Sequence, residues 1–161
     1  MIERQNVSDL AAALGRIPSG IFIVTCCKEG VDSAFLASWV QQCSFEPPML
    51  TLAVRKGRPI GEWLQEKTPF CLHILAEGQK DLLGHFGKGL PLNQLPCFSE
   101  RVQRAANLTP VIPEALAILH CTPTSVCDSG DHHLIVARID DGSLRREDRP
   151  MIHVRKNGLN Y

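Results

Sequence analysis

Three short stretches combine residue types that can bind and polarise a ligand. Arg55-Lys56-Gly57-Arg58-Pro59 sits between a strand-like and a helix-like segment and is followed by Ile60. Unsatisfied backbone N–H groups and the positive end of a helix dipole would meet a basic loop there, which suits a phosphate. Ser33-Ala34-Phe35-Leu36-Ala37-Ser38-Trp39 alternates small or polar residues with large apolar ones. Backbone beside Ala37 and Ser38 can approach a planar ligand, and Trp39 can pack on an aromatic group. Gly130-Asp131-His132-His133 opens a late strand. A histidine at a strand entrance can donate to a ligand oxygen while a neighbouring aspartate orients it. Adjacent histidines on a strand point to opposite faces, so one can face a site and the pair cannot share a metal. Each stretch also has a plainer reading: a solvated turn, a core tryptophan, a polar turn.

No G-x-S-x-G, H-E-x-x-H, P-loop or G-x-G-x-x-G pattern occurs. Any chemistry is therefore expected to come from a cofactor. The seven cysteines are odd in number, form no C-x-x-C and lie mostly in apolar runs. Reduced core thiols are expected, with neither a disulfide framework nor a metal site. Seventeen basic residues balance seventeen acidic ones, which leaves no counterion-displacing face for nucleic acid. The best candidate for a membrane span, Ile21 to Cys27, is far too short. MIERQNVSDL carries acids and no apolar core, so no secretory signal is expected and the cytoplasm is the expected location. A net charge of zero leaves association with a second copy unopposed.

The elements that must position these residues follow from periodicity and turn chemistry. Ser8 is expected to cap a short helix that Gly15 stops. Residues 17–20 read as a turn, Ile21–Cys26 as a strand and Lys28-Glu29-Gly30 as a hairpin connection. Residues 33–45 are open between strand and loop and end at Pro47-Pro48; Met49–Val54 is the next strand. Pro59 suits a helix N1 position, with Ile60, Trp63 and Leu64 on one face. Phe70–Leu75 is a strand, and 79–88 a helix burying Leu82, Leu83 and Phe86. The Pro-rich residues 89–113 read as an irregular connection serving function or an interface. Leu116–Val126 and Leu134–Ile139 are strands joined through 127–131, Asp140-Asp141-Gly142 is a turn, and Met151–Val154 is a last strand. About six strands with three interspersed short helices predict an α+β fold on an antiparallel barrel, in one domain over 1–161.

The order and spacing of LGRIPSGIFIVT (14–25), SAFLASWVQQCSFEPPMLTLAV (33–54), FCLHILAEGQKDLLGHFGK (70–88) and GDHHLIVARIDDG (130–142) resemble the flavin reductase-like family with the FMN-binding split-barrel fold. The closing RKNGLNY is similar to the end of the flavin reductase domain fused to some flavodiiron proteins. The resemblance implies a six-stranded split barrel and a homodimer with FMN near the subunit interface. It implies that Ser33, Ala37, Ser38 and Trp39 line the flavin. Arg55, Lys56, Gly57, Arg58 and Ile60 would lie around its phosphate, which Lys88 would also reach. His132 would act near the isoalloxazine or the nicotinamide as the catalytic residue. Many members carry Asn in place of Ser33 and Thr in place of Ile60; Ile60 has no side-chain donor, which leaves that contact to Arg58. The implied activity is NAD(P)H-dependent flavin reduction, a hydride passing from NADH or NADPH to FMN N5 and electrons then passing onward; the implied partners are small-molecule flavin and nicotinamide nucleotide and a redox-protein acceptor. Two other readings stand beside it: an FMN electron-transfer protein that does not use NAD(P)H, and a split barrel that has lost flavin.

Overall fold

The computed structural model describes residues 2–86 and 101–160, with side chains from Ser8 onward. Lys88, Cys97 and residues 89–100 of the expected 89–113 connection lie outside them.

The apolar run after Gly20 forms β2 (Phe22–Lys28), buried on both faces at its centre. A two-residue turn at Glu29 and Gly30, with φ of 51° and 79°, returns the chain into β3 (Val31–Ala37). Two positive φ values match the right-handed twist of the flanking strands. In β3 burial alternates, turning Ser33, Phe35 and Ala37 inward. The stretch left open in the sequence is thus two strands, β3 and β4 (Val40–Phe45), which meet at a corner made of Ser38 and Trp39. β5 (Pro48–Arg55) buries Leu50, Leu52 and Val54 on alternate positions. Helix α2 (Pro59–Gln65) begins on Pro59, as its ring geometry favours, and buries Ile60 and Leu64. β6 (Phe70–Ile74) and helix α3 (Lys80–Phe86) follow, and α3 buries Leu82 and Phe86.

Among the described residues the main sheet has seven strands, not the expected six, in the antiparallel order β3-β2-β6-β9-β10-β5-β4, where β9 is Ala117–Ser129 and β10 is His132–Leu144. β3 and β4 are its two edges, so the hydrogen-bonded order is open rather than closed. The sheet curls, however. Phe35 and Ala37 from one end share a core with Leu50, Leu52 and Val54 from near the other, beside Ile60 and Leu64 of α2. A second core on the opposite side joins Ile23, Leu75 and Ile112 to Leu82 and Phe86 of α3.

Four expectations are corrected. Ser8 is an exposed residue within α1 (Ile2–Leu14), because the helix starts well before it. β9 and β10 run further than their apolar segments, so their connection shrinks from five residues to Gly130-Asp131. Asp140-Asp141-Gly142 is no turn but part of β10, where a register shift between Ile139 and Asp141 absorbs the irregularity. Within 101–113 a small hairpin forms from β7 (Gln103–Arg104) and β8 (Pro110–Val111). Both Arg104 terminal nitrogens donate to Asp32 at 2.6 Å, and the Thr25 hydroxyl donates to the Pro110 carbonyl at 2.5 Å. Two further short strands, β1 (Ser19–Gly20) and β11 (Ile152–His153), pair with each other and dock the C-terminal region.

Cys26, Cys71 and Cys121 are buried thiols, whereas Cys43 and Cys127 are exposed. Burial pushes Cys26 and Cys71 up to about 12 and raises Cys121 as well, so these three stay protonated and inert. Among the described residues no helix is long and apolar enough to cross a membrane.

Candidate functional site

Three segments distant in sequence converge at one end of the sheet. Pairing of β10 with β5 sets His132 opposite Arg55 and His133 opposite Val54. The Lys56 N–H donates to the Asp131 carbonyl at 3.0 Å, which ties the basic loop to the β9–β10 turn. The Ala53 N–H donates to the Trp39 carbonyl at 3.0 Å and fixes the β3–β4 corner beside them.

His132 is buried, and its Nδ1 lies 2.7 Å from Asp131 Oδ1. The imidazole beside it holds the Asp131 carboxyl below the ordinary carboxylate range. The His132 ring packs 4.9 Å from the Trp39 ring, tilted by 48°. The Arg155 guanidinium lies 4.9 Å over the same indole. Trp39 therefore carries a histidine and an arginine as ring neighbours.

The corner separates three concavities. One of 460 Å³ is lined by Ser38, Trp39, Val40, Gln41, Thr51 and Ala53, among others. A mostly apolar one of 730 Å³ includes Leu36, Ala37, Ser38, Leu83 and Met151. The third, of 390 Å³, is bounded by Trp39, Arg55, Asp131, His132, Arg155 and Asn160.

Of the sequence-predicted residues, Ala37, Ser38, Trp39, Arg55 and His132 line these concavities. Ser33 faces inward on β3, four places ahead of Ala37, and is not part of the three walls. Gly57 turns the basic loop with φ of 82° and open space around it. Lys56 Nζ sits 2.6 Å from Asp128 Oδ1, which also lies 3.5 Å from His133 Nδ1. Lys56 chiefly holds the Asp128 carboxyl below its ordinary range. Arg58 lies 5.5 Å over the Phe35 ring. The Ile60 side chain is 3% exposed and packed in the core, so only its backbone can belong to the loop. Lys88 lies outside the described residues. Sequence reasoning missed Asp128 and Arg155. Both are ordinary polar residues locally, and only strand register and the path of the C-terminal segment bring them here. Among the described residues no group of three His, Cys, Asp or Glu side chains could hold a metal ion.

The pattern of the flavin reductase like domain matches residues 14–158. Diflavin flavoprotein A 1 of Synechocystis is 38% identical over 156 residues, covering 96% of this chain and 27% of the relative. The chain thus spans about a quarter of the length of the curated relatives it matches. Nitrilotriacetate monooxygenase component B from Mycobacterium thermoresistibile superposes with a TM-score of 0.80 at 25% identity, over 96% of this chain and 84% of that one. The flavin reductase of styrene monooxygenase from Pseudomonas putida shares the fold, with a TM-score of 0.76 at 24% identity over 89% of this chain and 90% of that one. The match along nearly the whole length, on a fold shared with flavin reductases, establishes that the chain belongs to the flavin reductase-like domain family.

Proposed function

We propose that the chain binds FMN at the Ser38–Trp39 corner and reduces it with NADH or NADPH. The observation that carries this reading is the 4.9 Å contact of Trp39 with a buried His132 on the rim of a cavity, with Arg55 alongside. An apolar wall, one aromatic face and a few convergent polar groups are what a planar heteroaromatic ligand requires. When bound, the flavin supplies the redox-active ring, which is why no nucleophile or acid–base pair is needed in the chain.

The protein's own residues then have defined tasks. Trp39 and Ala37 exclude water from one side of the ring. Asp131 holds His132 by Nδ1, so the imidazole acts on a ligand through Nε2. The Gly57–Arg58 turn offers backbone N–H groups and a cation to the phosphate. Diflavin flavoprotein A 1 of Synechocystis carries this region as 27% of a longer chain, which supports a redox protein as onward electron acceptor.

The test is the visible spectrum of the purified chain with FMN, before and after anaerobic NADH or NADPH. Retained flavin that bleaches with at least one donor is expected. Retained flavin that neither donor bleaches would replace reduction with plain electron carriage. A chain that stays colourless in excess FMN would sink the reading.

A further inference from the structure

We propose that Arg155, acting with Arg55, forms a diphosphate-binding subsite for the nicotinamide dinucleotide, beside the flavin site. The inference rests on the reading above and extends it to residues from the C-terminal segment.

Arg55 and Arg155 border the same 390 Å³ cavity as Trp39 and His132. Among the described residues that line it the one carboxylate is Asp131, whose Oδ1 lies 2.7 Å from His132 Nδ1. Arg101, Arg104, Arg138 and Arg146 each form a salt bridge with a carboxylate. Among the described residues neither Arg55 nor Arg155 does, so the cavity carries a positive excess. By contrast Lys56 of the basic loop already faces Asp128. A cavity of this size holds part of a dinucleotide rather than the whole.

Arg155 is also held in place. Its N–H donates to the Gly15 carbonyl at 3.0 Å, and the Gly158 N–H donates to the Ala11 carbonyl at 2.7 Å. Its guanidinium rests on the Trp39 face. A guanidinium stacked in this way keeps its N–H donors at the periphery, in the fork that matches phosphate oxygens. The anchoring bonds are made by backbone, so replacing the side chain leaves them intact.

The experiment is calorimetric titration of the FMN-incubated full chain with ADP, a nucleoside diphosphate, and with adenosine as the phosphate-free control. Arg155→Gln is expected to weaken ADP about 10- to 100-fold, the range of one charge-assisted contact. Arg155→Lys should keep part of the affinity, Arg55→Gln should lose it, and adenosine should not distinguish the variants. Melting curves verify that Arg155→Gln folds. ADP affinity within two-fold of the parent in Arg155→Gln, an equal loss for adenosine, or no ADP binding by the parent overturns the proposal. Parallel titrations with FMN and riboflavin separate the phosphate sources. If Arg155→Gln weakens FMN alone and spares ADP, the subsite holds the flavin phosphate and the donor assignment falls. Arg155-dependent ADP binding without bleaching by NADH or NADPH would instead retire the reductase reading alone.

Discussion

His132 and His133 are neighbours with different work. The His132 side chain is 8% exposed, carries Asp131 on Nδ1 and touches Trp39. His133 is more exposed, and its near carboxylate is Asp128, already shared with Lys56. Period-two alternation in a strand is enough to separate their faces in the sequence. What each meets depends on β5 and on the β3–β4 corner. His132→Ala should slow flavin reduction by about 10- to 100-fold, or about 1.4–2.7 kcal/mol in the barrier. A lost positioning donor accounts for that, below the strongest oxyanion-hole losses. His133→Ala should reduce flavin at close to the parental rate. Anaerobic stopped-flow on FMN-loaded variants, with melting curves alongside, decides it: equal parental rates in both would make His132 a structural residue.

At the scale of elements, the end of α1 and the C-terminal segment form one unit. A Cβ on Gly158 would come within 2.6 Å of the Gly15 backbone nitrogen and would also collide with Leu14. Neither neighbour can yield cheaply, since one is main chain and the other belongs to the helix. Gly158→Ala should therefore cost about 1–3 kcal/mol, the usual range for overpacking. Gly84 in α3 is the contrast. A Cβ there meets nothing within 4 Å, so Gly84→Ala should stabilise by about 0.4–1 kcal/mol through loss of unfolded-state freedom. Urea unfolding of both variants checks the opposite signs. Because Arg155 rides on this unit, Gly158→Ala should also disturb the cavity beside Trp39 while leaving the β5–β10 pairing intact.

For the whole molecule, His73 joins the sheet to the β7–β8 hairpin. Its ring is fully buried, with Nδ1 3.0 Å from the Ile23 carbonyl and Nε2 accepting from the Ile112 N–H at 3.0 Å. Both contacts are satisfied by the neutral tautomer that carries its proton on Nδ1. Burial is the main cause that lowers its pKa from 6.5 to about 4, with His120 adding to it. Above pH 6.5 both folded and unfolded chains hold this histidine neutral. Between 6.5 and about 4 only the unfolded chain takes up the proton, so stability falls as pH falls through that window. The loss should approach about 3 kcal/mol and then level off below it. The lowered carboxyls of Asp81, Asp128, Asp131 and Asp140 act in a separate window, losing their contribution as pH drops below the ordinary aspartate range. Urea midpoints taken from pH 7.5 to 4 should show the slope, and His73→Gln should flatten it. An unchanged slope in that variant would assign the effect to other groups.

The local chemistry of the chain was enough for most strands and for the start of α2. β-Branched runs and alternation mark β2, β5 and β6, and Pro59 marks N1, because each depends on a few neighbouring dihedrals. The corner at Ser38–Trp39 was legible as small residues beside an aromatic one, without the strands on either side being distinguishable from loop. Tertiary structure decided the rest. Extended β9 and β10 arise because polar residues such as Asp128 and Ser129 find partners across a ladder that their own sequence does not favour. Lys56 meets Asp128, and Trp39 meets His132 and Arg155, only through strand register and the docking of the last residues on α1. Such contacts join residues far apart in the chain and depend on the packing of every element between them. Local preference sets backbone conformation, while the charges and rings that meet at the site are selected by the closure of the whole fold.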